Sequence, residues 1–431
     1  MVARQRTGWF HELREKGDAW WGSHPDQGER VAGILLTLVC GSLIFSTALV
    51  QIFIVVLTGF TVYTMVSRHT SVVRRTPLDA PYLMFVLCRV FSLFTSQDPL
   101  QSLPALHIEF FYYLVFFLIT QTVRTDELLA SECLGSVLIV AGICAALVGT
   151  AKVGLSLVPR ASSTTAGTYT LGGFLCPVLV LSLFMPGGPK DLRSGIRTTA
   201  IWIILCVGIV LTLDRLHWVG MGLALLGALL LPGNGVEYRR WNLRNRRLAV
   251  LVVCVLLATT VFIPMVQVRI AQIPSFAENM SGRDVLWRGA AMLWLDHPVV
   301  GFGPRTFTEI FPLFSEMRVR GVGCWHNDYL QVYMESGLLG LSALFWLIGA
   351  VYVHSWNVIR VSYPRQRAMV IALLSAVTMM LFIGGMLDLL NGILFRVLLG
   401  LLALHLRFPR PMQEPEVAAT SVQEGWFRWR P

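Results

Sequence analysis

Apolar residues run along this chain in blocks of 15 to 20, separated by short segments where charge, proline or glycine collects. A block of that length matches a helix crossing a bilayer, which needs roughly 20 mainly apolar residues. The blocks predict twelve membrane helices, near residues 31–49, 51–67, 81–95, 105–122, 131–150, 171–186, 198–213, 215–231, 247–266, 335–354, 368–386 and 388–406. Short cytoplasmic loops keep an excess of Lys and Arg, so twelve spans should sort positive charge onto alternate segments. With the N-terminus inside, the inner segments carry 24 Lys/Arg and the short outer ones carry only Lys152, Arg160 and Arg215. A single missed span would invert every later loop and erase that asymmetry.

The expected organisation is a cytoplasmic tail over 1–30, transmembrane helices 1–9 over 31–266, and a periplasmic loop over 267–334. Helices 10–12 follow over 335–406, with a cytoplasmic tail over 407–431. The first segment mixes Arg4, Glu12, Lys16 and Asp18, unlike the basic start of a cleaved signal peptide, so it is expected to be retained, lying on the membrane through Trp9, Phe10, Trp20 and Trp21. The long outer loop reads as structured. Ser281 and Asp284 look like a capping box opening a helix through about Leu295, which Pro298 stops. Gly301-Phe302-Gly303-Pro304 forces a turn, a short helix is expected over 305–315, and a further helix starts at His326-Asn327-Asp328, loosened by Gly337.

Composition sharpens the class. Of 431 residues, 55% are hydrophobic and 14% charged, against about 25% charged in a typical globular protein, which excludes an ordinary soluble enzyme. The expected fold is all-α, a polytopic integral membrane protein. The net charge of +10 carries no basic, aromatic-interleaved module, so no nucleic acid is expected as a partner. Eight cysteines, seven of them in or beside apolar runs, form neither a disulfide framework nor a CxxC zinc pattern, and no HExxH, DxD or His/Asp/Glu cluster suggests a metal.

Charges at or within a membrane are expensive and default to functional candidates. Arg215 lies in a tight outer turn, Thr212-Leu213-Asp214-Arg215. It is either an interfacial anchor beside Trp218 and Asp214 or a fixed guanidinium aimed at an anionic headgroup, whose phosphate oxygens its planar fork would grip bidentately. His326, at a helix N-terminus where the dipole disfavours imidazolium, is either a plain loop histidine or a neutral ring able to accept a proton, with Asp328 and Glu335 available to orient it. Arg283, Arg288, Arg305, Arg318 and Arg320 form either a solvated basic surface or, where two converge, a diphosphate pocket. Arg89, Arg396 and Asp388 either pair inside the bundle or line a polar groove. The hydroxyl-rich segment from Arg160 to Thr168 would suit sugar hydroxyls.

Three blocks on the outer loop carry a resemblance. Ser281-Gly282-Arg283-Asp284-Val285-Leu286-Trp287, Asp296-His297-Pro298-Val299-Val300-Gly301-Phe302-Gly303-Pro304, and His326-Asn327-Asp328-Tyr329-Leu330 with Glu335-Ser336-Gly337-Leu338-Leu339-Gly340 resemble the O-antigen ligase and polymerase superfamily of bacterial envelope glycosyltransferases. Weaker matches are Thr212 to Arg215, where Asp214 replaces the usual Ser, Ser96 to Leu103, and Ala166 to Tyr169, which lacks the usual N-P-N continuation. The resemblance implies that a glycan moves from undecaprenyl diphosphate to a hydroxyl of the lipid A core or of another glycan. That transfer would occur on the periplasmic face of a bacterial inner membrane, with inversion and without metal or other cofactor. Arg215 and Arg283 would bind the diphosphate, Arg288 being the second choice in the loop, and His326 would be the catalytic base. Arg160, Asn327, Asp328 and Glu335 would bind or orient substrate. The partners implied are the lipid-linked glycan donor, a lipid or glycan acceptor and membrane lipids. A polymerase shares this chemistry, and a lipid-linked sugar flippase remains the alternative of another class. A transporter, however, places its charges at the midplane on repeat-related broken helices.

Overall fold

The computed structural model describes residues 27–67, 74–123, 126–164, 167–185, 192–230, 263–272, 283–315 and 324–407, with Asp18, Trp20, Gly22, Val250, Val253 and Cys254 as isolated positions. The described residues form helices α1 Gln27–Ser42, α2 Thr47–Ser67, α3 Asp79–Phe94, α4 Pro99–Thr122, α5 Glu127–Gly154, α6 Thr168–Phe184, α7 Leu192–Leu211 and α8 Arg215–Leu230. After these come α9 Pro264–Ala271, α10 Arg283–Leu293, α11 Phe307–Ile310, α12 Asp328–Val361, α13 Pro364–Ile383 and α14 Leu389–Arg407. Six of them, α2, α4, α5, α12, α13 and α14, are long and apolar enough to cross a membrane, and the fold is that of an all-α polytopic membrane protein.

Eleven of the twelve predicted spans contain a described helix; the ninth, 247–266, lies almost wholly outside the described residues. Boundaries moved where the apolar pattern runs across a turn. The first predicted span ends at 49, yet α1 stops at Ser42 and the hydroxyl of Ser46 accepts from Leu49 N at 3.3 Å to start α2. In the loop, α10 ends at Leu293 and the helix expected over 305–315 shrinks to Phe307–Ile310 with one further helical pair at 314–315. Ser281, the expected cap, lies outside the described residues, as do Arg318 and Arg320.

Hydrophobicity distributes the helices. A helix that is apolar all round belongs inside a bundle or in lipid. Nearly every residue of α14 is buried, making it the central helix, whereas α2 buries only Val50, Ile54, Leu57 and Thr61 and turns the rest outward. Between membrane helices, small residues permit close approach, because burying apolar surface against apolar lipid gains little. On α5, Gly135, Gly142 and Gly149 recur every seven residues, and a Cβ there would lie 2.7 Å from Met185 Sδ, 2.8 Å from Val178 Cγ1 and 3.0 Å from Leu171 Cδ2. This stripe lets α6 lie close against α5.

Buried charges are paired. Arg89 on α3 bonds Glu109 on α4 at 2.6 Å and Glu335 on α12 at 2.7 Å. Arg396 on α14 donates to Tyr82 Oη at 3.0 Å and to the Met386 carbonyl, with its guanidinium 4.1 Å from the Tyr112 ring centroid. Arg89 is thus paired inside the bundle, whereas Arg396 is held there by a phenol, backbone carbonyls and an aromatic face. Glu132 holds Arg365 through two bonds of 2.7 and 2.8 Å, and Ser131 meets His405 at 2.9 Å, at the end of the bundle away from the long loop.

The long loop is locked onto the bundle through a break in α12. Gly337 has φ 60° and ψ −160°, a conformation essentially restricted to glycine, and it interrupts the helical ladder. The freed groups are satisfied by the turn around Gly301. Leu338 N donates to Pro298 O at 2.8 Å and Leu339 N to Val299 O at 3.1 Å, while Phe302 N and Gly303 N donate to the carbonyls of Met334 and Glu335 at 2.8 and 3.1 Å. Gly301 and Gly303 have φ of 73° and 96°, and a Cβ on Gly301 would sit 2.5 Å from the Glu335 carbonyl carbon. The segment Ser96 to Leu103 completes the clasp: Gln97 N donates to Phe302 O at 3.1 Å and Ser102 Oγ to Pro304 O at 2.7 Å. Beneath the loop a small core of Leu286, Phe302, Phe307, Phe311 and Trp325 seats α10.

Candidate active site

Where the loop closes over the bundle lies a cavity of about 880 Å³, walled by the α7–α8 turn, the starts of α6 and α12, the last turn of α9, the loop before α14, and α10. The turn that carries Arg215 is built by its neighbours. Leu213 takes φ 56°, buried Thr212 bonds Ile209 O at 2.7 Å, and Asp214 Oδ1 accepts from Leu216 N at 3.0 Å. An acid there satisfies an orphan amide at the helix N-terminus. The aspartate found in place of serine thus keeps the capping function, and its other oxygen lies 3.5 Å from Nδ1 of the fully buried His217. Arg215 is thereby launched from the first residue of α8 into the cavity wall.

Arg215 is bracketed by α9. Its Nη2 reaches both oxygens of Gln272 at 3.4 Å, and Arg269 donates to Gln272 Oε1 at 2.9 Å and to Leu213 O at 3.2 Å. Burial and the adjacent charges of Arg160 and Arg215 lower the Arg269 pKa, with Asp214 opposing them, so these cations share one confined space. Sequence reasoning did not single out Arg269; its placement just after the ninth predicted span, in the helix that Pro264 starts, was the only signal.

His326 sits at the mouth, in a left-handed conformation of φ 50°, just ahead of Asn327. Asn327 is the cap of α12, its Oδ1 accepting from Leu330 N at 3.0 Å, and it also lines the cavity. Desolvation by the walls, then the charge of Arg283, hold the His326 pKa below its ordinary value, favouring the neutral ring. The two acids expected to orient that ring are engaged elsewhere. Asp328 Oδ2 accepts from Met386 N at 2.7 Å, and Glu335, beneath the cavity, binds Arg89, Gln331 Nε2 at 3.0 Å and the amide of Arg305 at 3.3 Å. Nδ1 of His326 instead lies 3.7 Å from Cys324 Sγ.

Arg160, Arg215, Arg283, His326, Asn327 and Asp328 are therefore brought to one cavity, and Arg269, Arg305, Tyr169 and Asp388 join them. Arg288 points away: its side chain is 62% exposed and 3.9 Å from Asp284. Asp388 accepts from Thr170 at 3.3 Å, and burial raises its pKa. Five arginines and three aspartates line the cavity, leaving two positive charges in excess. Among the described residues no group of three or more His, Cys, Asp or Glu gathers to hold a metal ion.

A family model described as O-antigen ligase matches residues 200–345, the stretch running from α7 through the Arg215 turn and the loop into α12. No curated protein matches the chain. Over residues 200–345, about a third of its length, the chain is thus similar to the O-antigen ligase family.

Proposed function

We propose that this protein transfers a glycan from undecaprenyl diphosphate to a hydroxyl of lipid A core or of another glycan, at the periplasmic end of the bundle. The observation that carries the reading is the charge of the cavity. A diphosphate diester bears two negative charges, and the lining holds two positive charges in excess beside a neutral imidazole. Arg215 and Arg283 grip the diphosphate, with Arg269 adding a third cation from α9. His326 takes the proton of the acceptor hydroxyl as its oxygen attacks the anomeric carbon. The bond from that carbon to the diphosphate oxygen breaks with inversion, and the electron pair leaves on undecaprenyl diphosphate, whose growing charge the arginines stabilise. Guanidiniums fixed by Gln272 and Leu213 need little reorganisation as that charge develops, the condition under which electrostatic stabilisation is strongest. Asn327, Asp328 and Arg160 shape the acceptor side, and Glu335 positions Arg305 and α12 from below. Ligase and polymerase share these steps and differ in the acceptor.

The test is transfer of undecaprenyl-linked glycan in vesicles containing purified protein. His326→Ala, Arg215→Ala and Arg269→Gln are each expected to lower the rate about 10²–10³-fold, with lipid flipping unchanged. Loss of flipping with transfer intact would instead mark a transporter.

A further inference from the structure

The end of α10 and the turn after it expose a run of apolar side chains, with the charged Arg283, Asp284 and Arg288 on the same open side nearer the helix start and Asp296 within the turn. Trp287, Met292, Trp294, Leu295 and Val299 are all exposed, Met292 at 62% and Leu295 at 78%, while the opposite face packs Val285, Leu286 and Ala290 into the small loop core. A water-facing loop helix would carry polar residues there, since contiguous apolar patches on soluble surfaces are rare and mark interaction sites. The patch does not end at the loop. Leu339 N bonds Val299 O and Leu338 N bonds Pro298 O, and both leucines are exposed at the start of the second half of α12, which continues as a membrane-crossing helix with Phe345 and Trp346 facing outward. The exposed face of residues 287–299 is thus continuous with the lipid-facing wall of α12. Arg288 lies on the exposed side of α10, 3.9 Å from Asp284, while Arg283 also lines the cavity.

The geometry points to the acyl region of one bilayer leaflet as the partner of this face: α10 and residues 294–299 lie in the membrane interface as an amphipathic, non-spanning element. Such elements bury their apolar side roughly 5–10 Å into the headgroup and acyl boundary. Trp287 belongs to both surfaces, being exposed and lining the cavity, so the cavity opens sideways at the level of the lipid headgroups. A ligand whose polar head is fixed to a long hydrocarbon chain could then enter without leaving the bilayer.

The proposal is tested by depth. Leu295→Cys and Val299→Cys, made with the native cysteines replaced, are labelled with bimane and reconstituted into phosphatidylcholine vesicles. Phe345→Cys serves as the bilayer reference and free bimane-cysteine adduct as the aqueous one. We expect dibrominated phosphatidylcholine to quench both loop labels at least twofold and iodide to quench them far less than the free adduct. Iodide quenching equal to that of the free adduct, with no effect of brominated lipid, would overturn the proposal. Because both substituted positions are exposed and neither lines the cavity, transfer activity relative to the cysteine-replaced parent serves as a check on folding, and the depth result stands whatever the cavity binds.

Discussion

At the scale of single residues, the site depends on how much charge each group carries when it acts. His326, the proposed base, can accept a proton only as the neutral ring, and burial, then the Arg283 charge, holds its pKa below the ordinary value. Activity should therefore be flat at neutral pH and fall as pH drops through that lowered value. Removing the Arg283 charge relieves the repulsion against imidazolium, so the acid limb of kcat/KM in Arg283→Gln should move to higher pH, measured on the residual activity. A limb that stays in place, or moves lower, would show that the two side chains are not coupled. Arg89 makes a different demand. Its guanidinium bridges two buried carboxylates, and removing one partner of a buried pair costs roughly 3–5 kcal/mol because the remaining charges are left uncompensated. Arg89→Met should melt well below the wild type in detergent, and adding Glu109→Gln and Glu335→Gln should recover part of the loss. A triple variant no more stable than Arg89→Met would refute the pairing argument.

At the scale of elements, the glycines at 301, 303 and 337 form a mechanical clasp. The turn around Gly301 and the break at Gly337 were legible as separate irregularities, one a forced turn and the other a loosened helix. Nothing in either segment announces that the unpaired amides of one are the partners of the carbonyls of the other. Gly337→Ala places a methyl against the Val299 carbonyl in a backbone conformation that costs of order 1–3 kcal/mol for a residue with a side chain. It should lower the melting temperature and impair transfer together, since the clasp positions both Gly303-Pro304-Arg305 and the start of α12. Gly154→Ala, where a Cβ meets nothing within 4 Å, is the control expected to change neither. Equal effects at the two positions would contradict the clasp.

At the scale of the whole molecule, segments predicted to share a side do meet. The segments at 155–164, 212–215 and 384–388 gather with the long loop around the cavity and 96–103 bonds the long loop, while Glu132 binds Arg365 and Ser131 meets His405 at the opposite end. Cys324 on the cavity wall provides a native probe of sidedness, with a thiol whose pKa is raised by burial, so labelling belongs at mildly alkaline pH. A membrane-impermeant maleimide applied from outside should modify Cys324, with Cys324→Ser as the blank, and should reach a cysteine introduced at the exposed Arg360 only after the membrane is opened. The reverse pattern would invert the topology.

The sequence alone determined the lipid-compatible spans, the sorting of charge between alternate loops and the identity of His326, Arg215 and Arg283 as candidates. The spans and the charge sorting follow from local hydropathy, Arg215 from the cost of putting a charge near lipid and His326 from its place at a helix start, while the choice of Arg283 among the loop arginines is what the family resemblance implies. Tertiary structure decided which arginines share a space, that Glu335 and Asp328 serve packing partners rather than the imidazole, that Arg288 faces outward, and that Arg269 belongs to the cavity. Those outcomes depend on groups brought together from 20 to 246 positions apart, as with Arg89 and its two carboxylates, and no local pattern encodes a meeting at that separation. The periodicity of a helix states which side must avoid water, whereas the partner on its polar side is chosen only when the bundle closes.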